Sequence, residues 1–465
     1  MTEAEQTYDV IVVGGGSTGE NVAARAVRGG LTAALVENEL YGGECSYWAC
    51  MPSKALLRPV EVAAMARRLP GVPVGPLDVP AVLARRDEFT SHLSDAGQQQ
   101  WVVGAGIAAL RGQGRLVGDK RVEVTGPGGA VTALRATHAV VLATGTSAFV
   151  PDLPGLADAQ PWTSREVTSM KAVPRRLVVL GGGVVSVEMA QAVKGLGAES
   201  VVLLVRGARL LERMEPYAGE LVADGLRETG VDIRYGASAA SVRRDSGGVT
   251  VVLEDGGEVT ADELLVAVGR RPRTGDLGLD TVGLEPGSSV EVDDSMRVPG
   301  SDWLYAAGDV NGRALLTHMG KYQARVCGDV IVARAAGGPD DGPALRATGP
   351  VPQVVFTDPQ ACSVGPTEAD ARRAGLVVRT VSIDLGGVAG AALLADGYRG
   401  RASLLVGEGD VVLGATFVGQ EVAELLHSAT VAVTAGLSLQ QLWHAVPSYP
   451  TVSEAWLRLL EAAGL

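Results

Sequence analysis

Two cysteines near the amino terminus have the spacing of a redox pair. Cys45 and Cys50 lie five residues apart, behind Gly42-Gly43 and ahead of Pro52-Ser53-Lys54. A regular helix would separate these positions by about 7.5 Å along its axis, whereas a disulfide needs Cα atoms roughly 4.4 to 6.8 Å apart. A bridge therefore requires an irregular first turn, for which the glycines supply backbone freedom. The residues alone leave two interpretations open, a redox dithiol or two ordinary buried thiols.

The stretch before the cysteines predicts a dinucleotide-binding unit. A β-branched strand from Tyr8 to Val13 leads into a GxGxxG loop, then a helix over 20–28 and a second strand that ends in Glu37. GxGxxG alone is weak, but this order of strand, loop, helix, strand and acid indicates nucleotide binding. Glu37 can accept hydrogen bonds from the adenosine ribose, and the loop can approach a pyrophosphate. The loop residues are Gly14, Gly16, Ser17 and Gly19.

A second unit of the same type begins at Arg176. Its loop carries Gly181 and Gly183, and the strand that follows the next helix ends just before Arg206 and Arg209. An NAD-specific site would normally offer an acid there, whereas arginine pairs well with a 2'-phosphate. We therefore predict NADPH rather than NADH, and the alternative is that both arginines are solvated surface charges. Two nucleotide units in one chain suggest reduction of a flavin by a nicotinamide.

The redox segment and its surroundings resemble the class I pyridine nucleotide-disulfide oxidoreductases, a flavoprotein family that includes glutathione reductase, dihydrolipoamide dehydrogenase and mercuric reductase. Both cysteines and Pro-Ser-Lys match the family's motif, but residues 46–49 depart from it, and Tyr47 and Trp48 either line a substrate site or simply pack. The resemblance implies an α/β fold with two Rossmann-like dinucleotide-binding domains and a C-terminal α+β dimerisation domain. We predict FAD-binding segments at 1–155 and 276–346, an NAD(P)H-binding domain at 156–275 and a dimerisation domain at 347–465. A homodimer is expected, in which the partner subunit completes each active site.

The resemblance also implies roles for individual residues. Cys50 would be the flavin-proximal thiol, and Cys45 would be the exposed thiol that attacks substrate. The attacking form of Cys45 would be its thiolate, because the thiolate performs disulfide exchange. Lys54 and Glu188 would form an ion pair beside the flavin. His318, at a helix start near the flavin, is either a proton donor or a structural residue. Further cofactor contacts are implied for Gly43, Thr144, Gly145, Gly269, Arg270, Gly308 and Asp309.

The C-terminal segment departs from the family at the catalytic histidine. Disulfide-reducing members read His-x-His-Pro-Thr-x-Ser-Glu, whereas this chain has Tyr449 at the second histidine and keeps Glu454. A phenol with a pKa of roughly 10 is a poor base at neutral pH, although it can donate a hydrogen bond. We predict an NADPH-dependent FAD enzyme that reduces a small disulfide. Alternatives are a quinone reductase, a metal-ion reductase like mercuric reductase, whose C-terminal cysteine pair has no counterpart here, and a redox-sensing flavoprotein.

Length and charge limit the remaining possibilities. A chain of 465 residues predicts several domains. The net charge of −13 argues against nucleic acid or an anionic membrane as the partner. No apolar run approaches the 18 or so residues of a membrane span, and the acidic start predicts no signal peptide and a cytoplasmic protein. We predict no metal site, and we expect Cys327 and Cys362 to be buried apolar residues.

Overall fold

The computed structural model describes residues 5–339 and 342–465. The chain divides into two compact units. The first unit comprises Met1–Pro52, Asp87–Phe149 and Arg270–Thr348, and the second comprises Ser53–Arg86, Val150–Gly269 and Gly349–Leu465. The finer division into FAD, NAD(P)H and dimerisation segments stays a prediction.

The strands are numbered in chain order. They are β1 Gln6–Val13, β2 Ala33–Glu37, β3 Ala108–Arg111, β4 Gln113–Leu116, β5 Arg121–Thr125, β6 Val131–Leu142, β7 Thr146–Ala148, β8 Arg176–Leu180, β9 Ser200–Val205, β10 Val231–Tyr235, β11 Ala239–Asp245, β12 Gly248–Leu253, β13 Glu258–Ala261, β14 Glu263–Val266, β15 Arg270–Pro272, β16 Leu304–Ala306, β17 Gln353–Val355, β18 Gln360–Val364, β19 Arg379–Asp384, β20 Arg401–Val406 and β21 Val412–Gly419.

The α-helices are numbered in the same way. They are α1 Ser17–Arg28, α2 Gly43–Tyr47, α3 Cys50–Arg67, α4 Val79–Phe89, α5 Ala96–Gly104, α6 Ser164–Thr168, α7 Val184–Gly195, α8 Pro216–Glu228, α9 Thr317–Ala335, α10 Glu368–Arg373, α11 Ala389–Ala392, α12 Leu425–Ala435, α13 Leu439–Leu442 and α14 Ala455–Ala462. Within the described ranges, none of these helices has the length and apolar character needed to cross a bilayer.

The first unit is built on one mixed sheet with the order β3-β2-β1-β6-β5-β4, and β16 also pairs with β6. β1 pairs in parallel with β2 and β6, with Val10 opposite Ala33 and Ala139. Every residue of β2 is buried, as expected for a parallel strand covered on both faces. The parallel register brings the loop after β1 and Glu37 to the same edge of the sheet, where nucleotides bind.

The second unit contains three sheets. A parallel sheet has the order β10-β9-β8-β14, an antiparallel sheet has the order β11-β12-β13, and the C-terminal sheet has the order β17-β18-β21-β20-β19. One hydrophobic core joins the parallel sheet to the C-terminal one, since Val355, Ala361 and Val418 pack in the same cluster as Leu177 and Leu203. The structure thus confirms the predicted fold class.

Two predicted helices are shorter than the sequence suggested. The sequence pattern of 79–103 predicts one continuous helix. This prediction is wrong, because α4 ends at Phe89 and α5 begins only at Ala96. The intervening turn is held in part by Asp95, whose carboxylate accepts a hydrogen bond from the Tyr41 amide at 2.9 Å. The pattern of 419–437 also predicts a helix. Its predicted start at Gly419 is wrong, because β21 continues to that residue and pairs it with Gln360. In both places tertiary contacts override the local pattern.

Candidate active site

The two cysteines lie on either side of a break between helices. α2 ends at Tyr47, Trp48 and Ala49 are not helical, and α3 begins at Cys50 itself. Both cysteines are half-buried free thiols. The break is the irregular turn that the cysteine spacing predicts for a redox pair.

The glycines ahead of the cysteines let this segment lie directly on the first nucleotide loop. Gly42 and Gly43 have φ values of +103° and +63°, which favour glycine. Gly42 forms a parallel bridge with Gly16, and a Cβ added to Gly43 would lie 2.8 Å from the Gly16 Cα. Any other residue at position 43 would push the redox segment away from the loop.

The amino terminus of α9 adjoins the dithiol. The Thr317 hydroxyl lies 3.3 Å from the Cys50 sulfur, within hydrogen-bond distance. The pKa of the Cys45 thiol is raised, first by its hydrogen bond with Cys50 and then by burial, while Thr317 acts in the opposite direction. Our sequence reasoning missed the contact with Thr317, because 267 residues separate it from Cys50.

Arg273 and Glu44 form a second contact that the sequence did not reveal. Arg273 lies directly after β15, and its guanidinium donates to the Glu44 carboxylate at 2.6 Å. Beside Cys45 on the other side, Tyr47 and Trp48 are 5% and 9% exposed, with their rings edge to face and 5.7 Å apart. Burial raises the pKa of Tyr47 to about 12. This arrangement supports packing rather than a substrate-lining role.

The first nucleotide loop needs glycine for its close backbone packing, and it leaves backbone amide donors available at the start of α1. A Cβ on Gly14 would lie 2.4 Å from the Ala143 carbonyl oxygen, and one on Gly19 would collide with the Gly14 oxygen. Gly16, the N-cap of α1, provides no side-chain cap, so the first amides of that helix have no side-chain acceptor there. A Cβ on Gly145 would meet nothing within 4 Å. These residues fit a pyrophosphate at the helix start.

Two carboxylates are predicted to contact FAD, and of these Glu37 is buried and Asp309 is partly buried. Glu37 accepts hydrogen bonds from the Gly15 amide at 2.7 Å and from the Glu39 amide at 2.6 Å. Asp309 accepts from the Thr146 hydroxyl at 2.9 Å. Burial raises the pKa of both carboxyl groups. Both would gain from a hydroxyl donor, which the sugar and polyol of FAD offer.

The other residues that are predicted to contact FAD have the following neighbours in the first unit. Thr144 donates its hydroxyl to the Arg273 carbonyl at 2.9 Å. Arg270 donates to the Thr146 hydroxyl at 2.6 Å and to its carbonyl at 2.8 Å. Gly308 donates its amide to Gln323 at 2.8 Å. His318 is an exposed residue in the first turn of α9. Their contacts with cofactor stay predictions.

Lys54 and Glu188 meet in the second unit. The ammonium lies 2.8 Å from the Glu188 carboxylate, whose side chain is only 3% exposed. The other carboxylate oxygen accepts a hydrogen bond from the Phe356 amide at 2.9 Å, and the Lys54 ammonium lies 4.8 Å from the Phe356 ring centroid. The family resemblance implied the ion pair, but our sequence reasoning missed the role of Phe356.

The predicted nicotinamide site also fits a dinucleotide. A Cβ on Gly181 would lie 2.4 Å from the Ala267 oxygen, and one on Gly183 would meet nothing within 4 Å. A Cβ on Gly269 would likewise meet nothing within 4 Å. Gly183 is the N-cap of α7 and provides no side-chain cap. The loop therefore leaves room for a phosphate at the start of α7.

The two arginines after β9 differ in their surroundings. Arg206 is exposed and has no ion-pair partner in the part of the chain that the structure describes. Arg209 donates to the Glu212 carbonyl at 2.8 Å, and the Glu212 carboxylate lies against Gly207. This loop thus offers one uncommitted guanidinium.

The C-terminal segment places Tyr449 and Glu454 in different environments. Tyr449 is 75% exposed, whereas Glu454 is 4% exposed. One oxygen of the Glu454 carboxylate accepts from Arg458 at 2.7 Å. The other has no hydrogen-bond partner among the described residues. The Glu454 carboxylate, which could accept a hydrogen bond from a histidine, is therefore retained, although Tyr449 stands where disulfide-reducing relatives have that histidine.

The comparisons with known proteins cover nearly the whole chain. Residues 8–335 match the pyridine nucleotide-disulphide oxidoreductase family, and residues 351–460 match its dimerisation domain. The chain belongs to this family. It is therefore a flavoprotein oxidoreductase of the Rossmann type with a disulfide redox centre, and it carries the family's dimerisation domain. Two buried cysteines, Cys327 and Cys362, stand outside that centre as predicted.

Relatives of several activities are similar to this member of the family. A mercuric reductase of Streptomyces lividans is 32% identical over 98% of this chain and 96% of its own. A dihydrolipoyl dehydrogenase of Halobacterium salinarum is 31% identical over 98% and 96%. The structure of LpdA from Mycobacterium tuberculosis is 25% identical, covers 99% of this chain and all of its own, and has a TM-score of 0.84. RclA from Escherichia coli, described as an HOCl-induced flavoprotein disulfide reductase, shares the fold at 24% identity, with 98% and 99% coverage and a TM-score of 0.84.

Proposed function

We propose that the protein is an NADPH-dependent FAD enzyme that reduces a small disulfide through Cys45 and Cys50. The observation that supports this most directly is the pair of half-buried thiols on either side of a helix break, packed on the first nucleotide loop and beside Thr317. Two thiols so placed can close a disulfide without rearranging a continuous helix.

The proposed reaction has two stages, reduction of the internal disulfide and then exchange with the substrate disulfide. FAD, when bound, would supply two-electron transfer between the nicotinamide and the Cys45–Cys50 disulfide. With two electrons and two protons, that disulfide becomes a dithiol. The Cys45 thiolate then attacks one sulfur of the substrate disulfide and releases one thiol. Cys50 attacks Cys45 in the mixed disulfide, releases the second thiol and restores the internal bridge.

A thiol count tests this function. After anaerobic addition of NADPH, alkylation and peptide mass spectrometry should show labels at Cys45 and Cys50, and a substrate disulfide added before the alkylating reagent should prevent this labelling by reoxidising both thiols. The Cys45→Ser variant should lose disulfide turnover but keep NADPH oxidation with a quinone. If prior addition of disulfides leaves the labelling unchanged while quinones reoxidise the protein with both cysteines present, the disulfide-reductase proposal is wrong.

Coenzyme choice is tested at the loop after β9. Removing Arg206 and Arg209 together by alanine substitution should lower kcat/KM for NADPH about 10-fold or more and leave the value for NADH unchanged, because charged hydrogen bonds to the 2'-phosphate are lost. Arg234→Ala, an exposed arginine on the neighbouring β10 paired with Asp232, is the matched control. An equal loss with both coenzymes would argue against a 2'-phosphate site.

A metal-ion reductase is the second candidate. Its support is the similarity to several mercuric reductases, including one of Staphylococcus aureus that is 29% identical over 96% of this chain and 81% of its own. Thiolates are soft ligands for such ions. NADPH oxidation driven by Hg(II) in the presence of excess small thiol, and abolished in Cys45→Ser, would support this activity. Turnover with disulfides but none with Hg(II) would exclude it.

A further inference from the structure

Cys45 needs a source of activation within its own surroundings. Its pKa is raised by the hydrogen bond with Cys50 and by burial, so the two largest influences on this thiol both disfavour the thiolate. Disulfide exchange nonetheless requires the thiolate. The groups that act on the Cys45 thiol are Cys50 at the start of α3 and, on α9, Thr317 and Lys321.

The amino-terminal part of α9 presents positive charge to the dithiol. Thr317, its first residue, lies 3.3 Å from the Cys50 sulfur, and the first turn contains no acid. Lys321 follows Thr317 by four residues and therefore lies on the same face, about 6 Å further along the axis. Its side chain is exposed and forms no ion pair with any residue that the structure describes. Two groups on this helix act against the raised pKa of Cys45: the hydrogen bond of Thr317 first, and then the charge of Lys321.

The acids near this face do not cancel that charge. Glu44 is paired with Arg273 at 2.6 Å. Glu20, on the other side of Lys321, is 5% exposed, and burial raises its pKa to about 7. Glu20 is therefore mostly protonated below about pH 7, where the ammonium of Lys321 acts on the thiols without an opposing charge from this carboxyl group. His318, also on α9, is exposed and lies in the first turn.

We propose that Lys321 supplies the positive charge that stabilises the Cys45 thiolate, and so performs electrostatically part of what a histidine does in disulfide-reducing relatives. Lys321 acts through Cys45 and need not touch the substrate. The inference rests on the proposed function in one respect, that Cys45 is the attacking thiol. Four residues away on the same helix, the exposed Arg325 provides a matched cation one turn further from the dithiol.

The test measures the thiol rather than turnover. The dithiothreitol-reduced holoenzyme is alkylated with iodoacetamide, a neutral reagent, between about pH 5 and about pH 10, and the rate at Cys45 is followed by peptide mass spectrometry. Lys321→Met should raise the pKa of Cys45 by roughly 0.5 to 1 and slow alkylation near neutral pH about 3- to 10-fold. The rate at high pH should not change. Lys321→Arg should retain the wild-type profile, and Arg325→Met should shift it far less than Lys321→Met.

Three results would overturn the proposal. One is a Lys321→Met profile that differs from wild type by less than about 0.2 in pKa. Another is a Lys321→Arg profile that shifts as far as that of Lys321→Met, which would indicate packing rather than charge. The third is an equal shift in Arg325→Met. Each variant's FAD absorbance and circular dichroism confirm its fold. Because alkylation requires no substrate, a protein with the predicted shift but no disulfide turnover would contradict the proposed function and leave this inference standing.

Discussion

Glu454 retains a buried carboxylate oxygen without a partner, five residues after the position where relatives carry the catalytic histidine. An imidazole at position 449 could donate its N–H to that oxygen and act as a base. Tyr449→His should therefore raise kcat/KM for a generic aromatic disulfide by about 10-fold or more. Steady-state assays of NADPH oxidation would measure the gain.

Two further variants show whether that gain has the proposed origin. Tyr449→Phe should not increase activity, because it offers no base. Glu454→Gln added to Tyr449→His should abolish most of the increase, because the amide is a weaker acceptor than the carboxylate. If Tyr449→His alone has no effect, the missing base does not limit disulfide reduction.

Glu20 is a buried carboxyl group in the first turn of α1, and its pKa is raised from 4.5 to about 7 by burial. The folded protein therefore binds more protons than the unfolded chain between these values, so stability falls as pH rises through this window. Glu20→Gln should increase the free energy of unfolding by roughly 2 to 4 kcal/mol near pH 8 and by little near pH 4. Urea denaturation at both pH values measures this. Glu285→Gln, at an exposed position, should give no pH-dependent difference.

At the scale of elements, α3 and α7 approach each other at a glycine in the second unit. A Cβ on Gly195 would lie 2.2 Å from a methyl carbon of Val60. Gly195→Ala should thus destabilise the protein by roughly 1 to 3 kcal/mol, although alanine favours helices. Thermal unfolding should show recovery when Val60→Ala is added. Gly97→Ala in α5, where a Cβ meets nothing within 4 Å, should instead stabilise slightly. A Gly195→Ala protein as stable as wild type would show that α7 can shift freely.

The helices and strands show which features of the fold can be predicted from the sequence and which depend on contacts between distant residues. Both nucleotide units were predictable, because their glycines, strands and helices follow within about 30 residues of chain. The interruption at 90–95 and the extension of β21 to Gly419 were not, since pairing with distant residues decides them. The cysteines and Lys54 were recognisable from their motif. Thr317, Arg273 and Phe356 were not, because their contacts with the site join residues more than a hundred positions apart.

At the scale of the whole molecule, the single chain leaves apolar side chains exposed near its carboxyl end. Val446 is 84% exposed and Trp443 is 40% exposed, within the segment that matches the family's dimerisation domain. We expect these two side chains to be covered in the dimer interface. Val446→Glu should weaken dimerisation about 10-fold or more in analytical ultracentrifugation, because a charge would be buried without a partner.

The control for that substitution lies in the first unit. Val131 is 51% exposed at the start of β6, and Val131→Glu should leave the dimer unchanged. Disulfide reduction by Val446→Glu should fall with dilution if two subunits complete each active site. Activity that stays constant while the protein dissociates would show that one chain is sufficient.

The core shared by β8, β9 and the C-terminal sheet bears on how this chain could have evolved. Val355, Ala361 and Val418 fill the same apolar cluster as the nucleotide-binding strands, and Phe356 holds Glu188 by its amide. The dimerisation segment is thus not an appendage that recombination could exchange at a linker. A chimaera that joins this chain to a relative's C-terminal segment near residue 349 would inherit mismatched halves of one core. Sequence divergence in these two segments is therefore expected to proceed in step, with compensating substitutions across the junction.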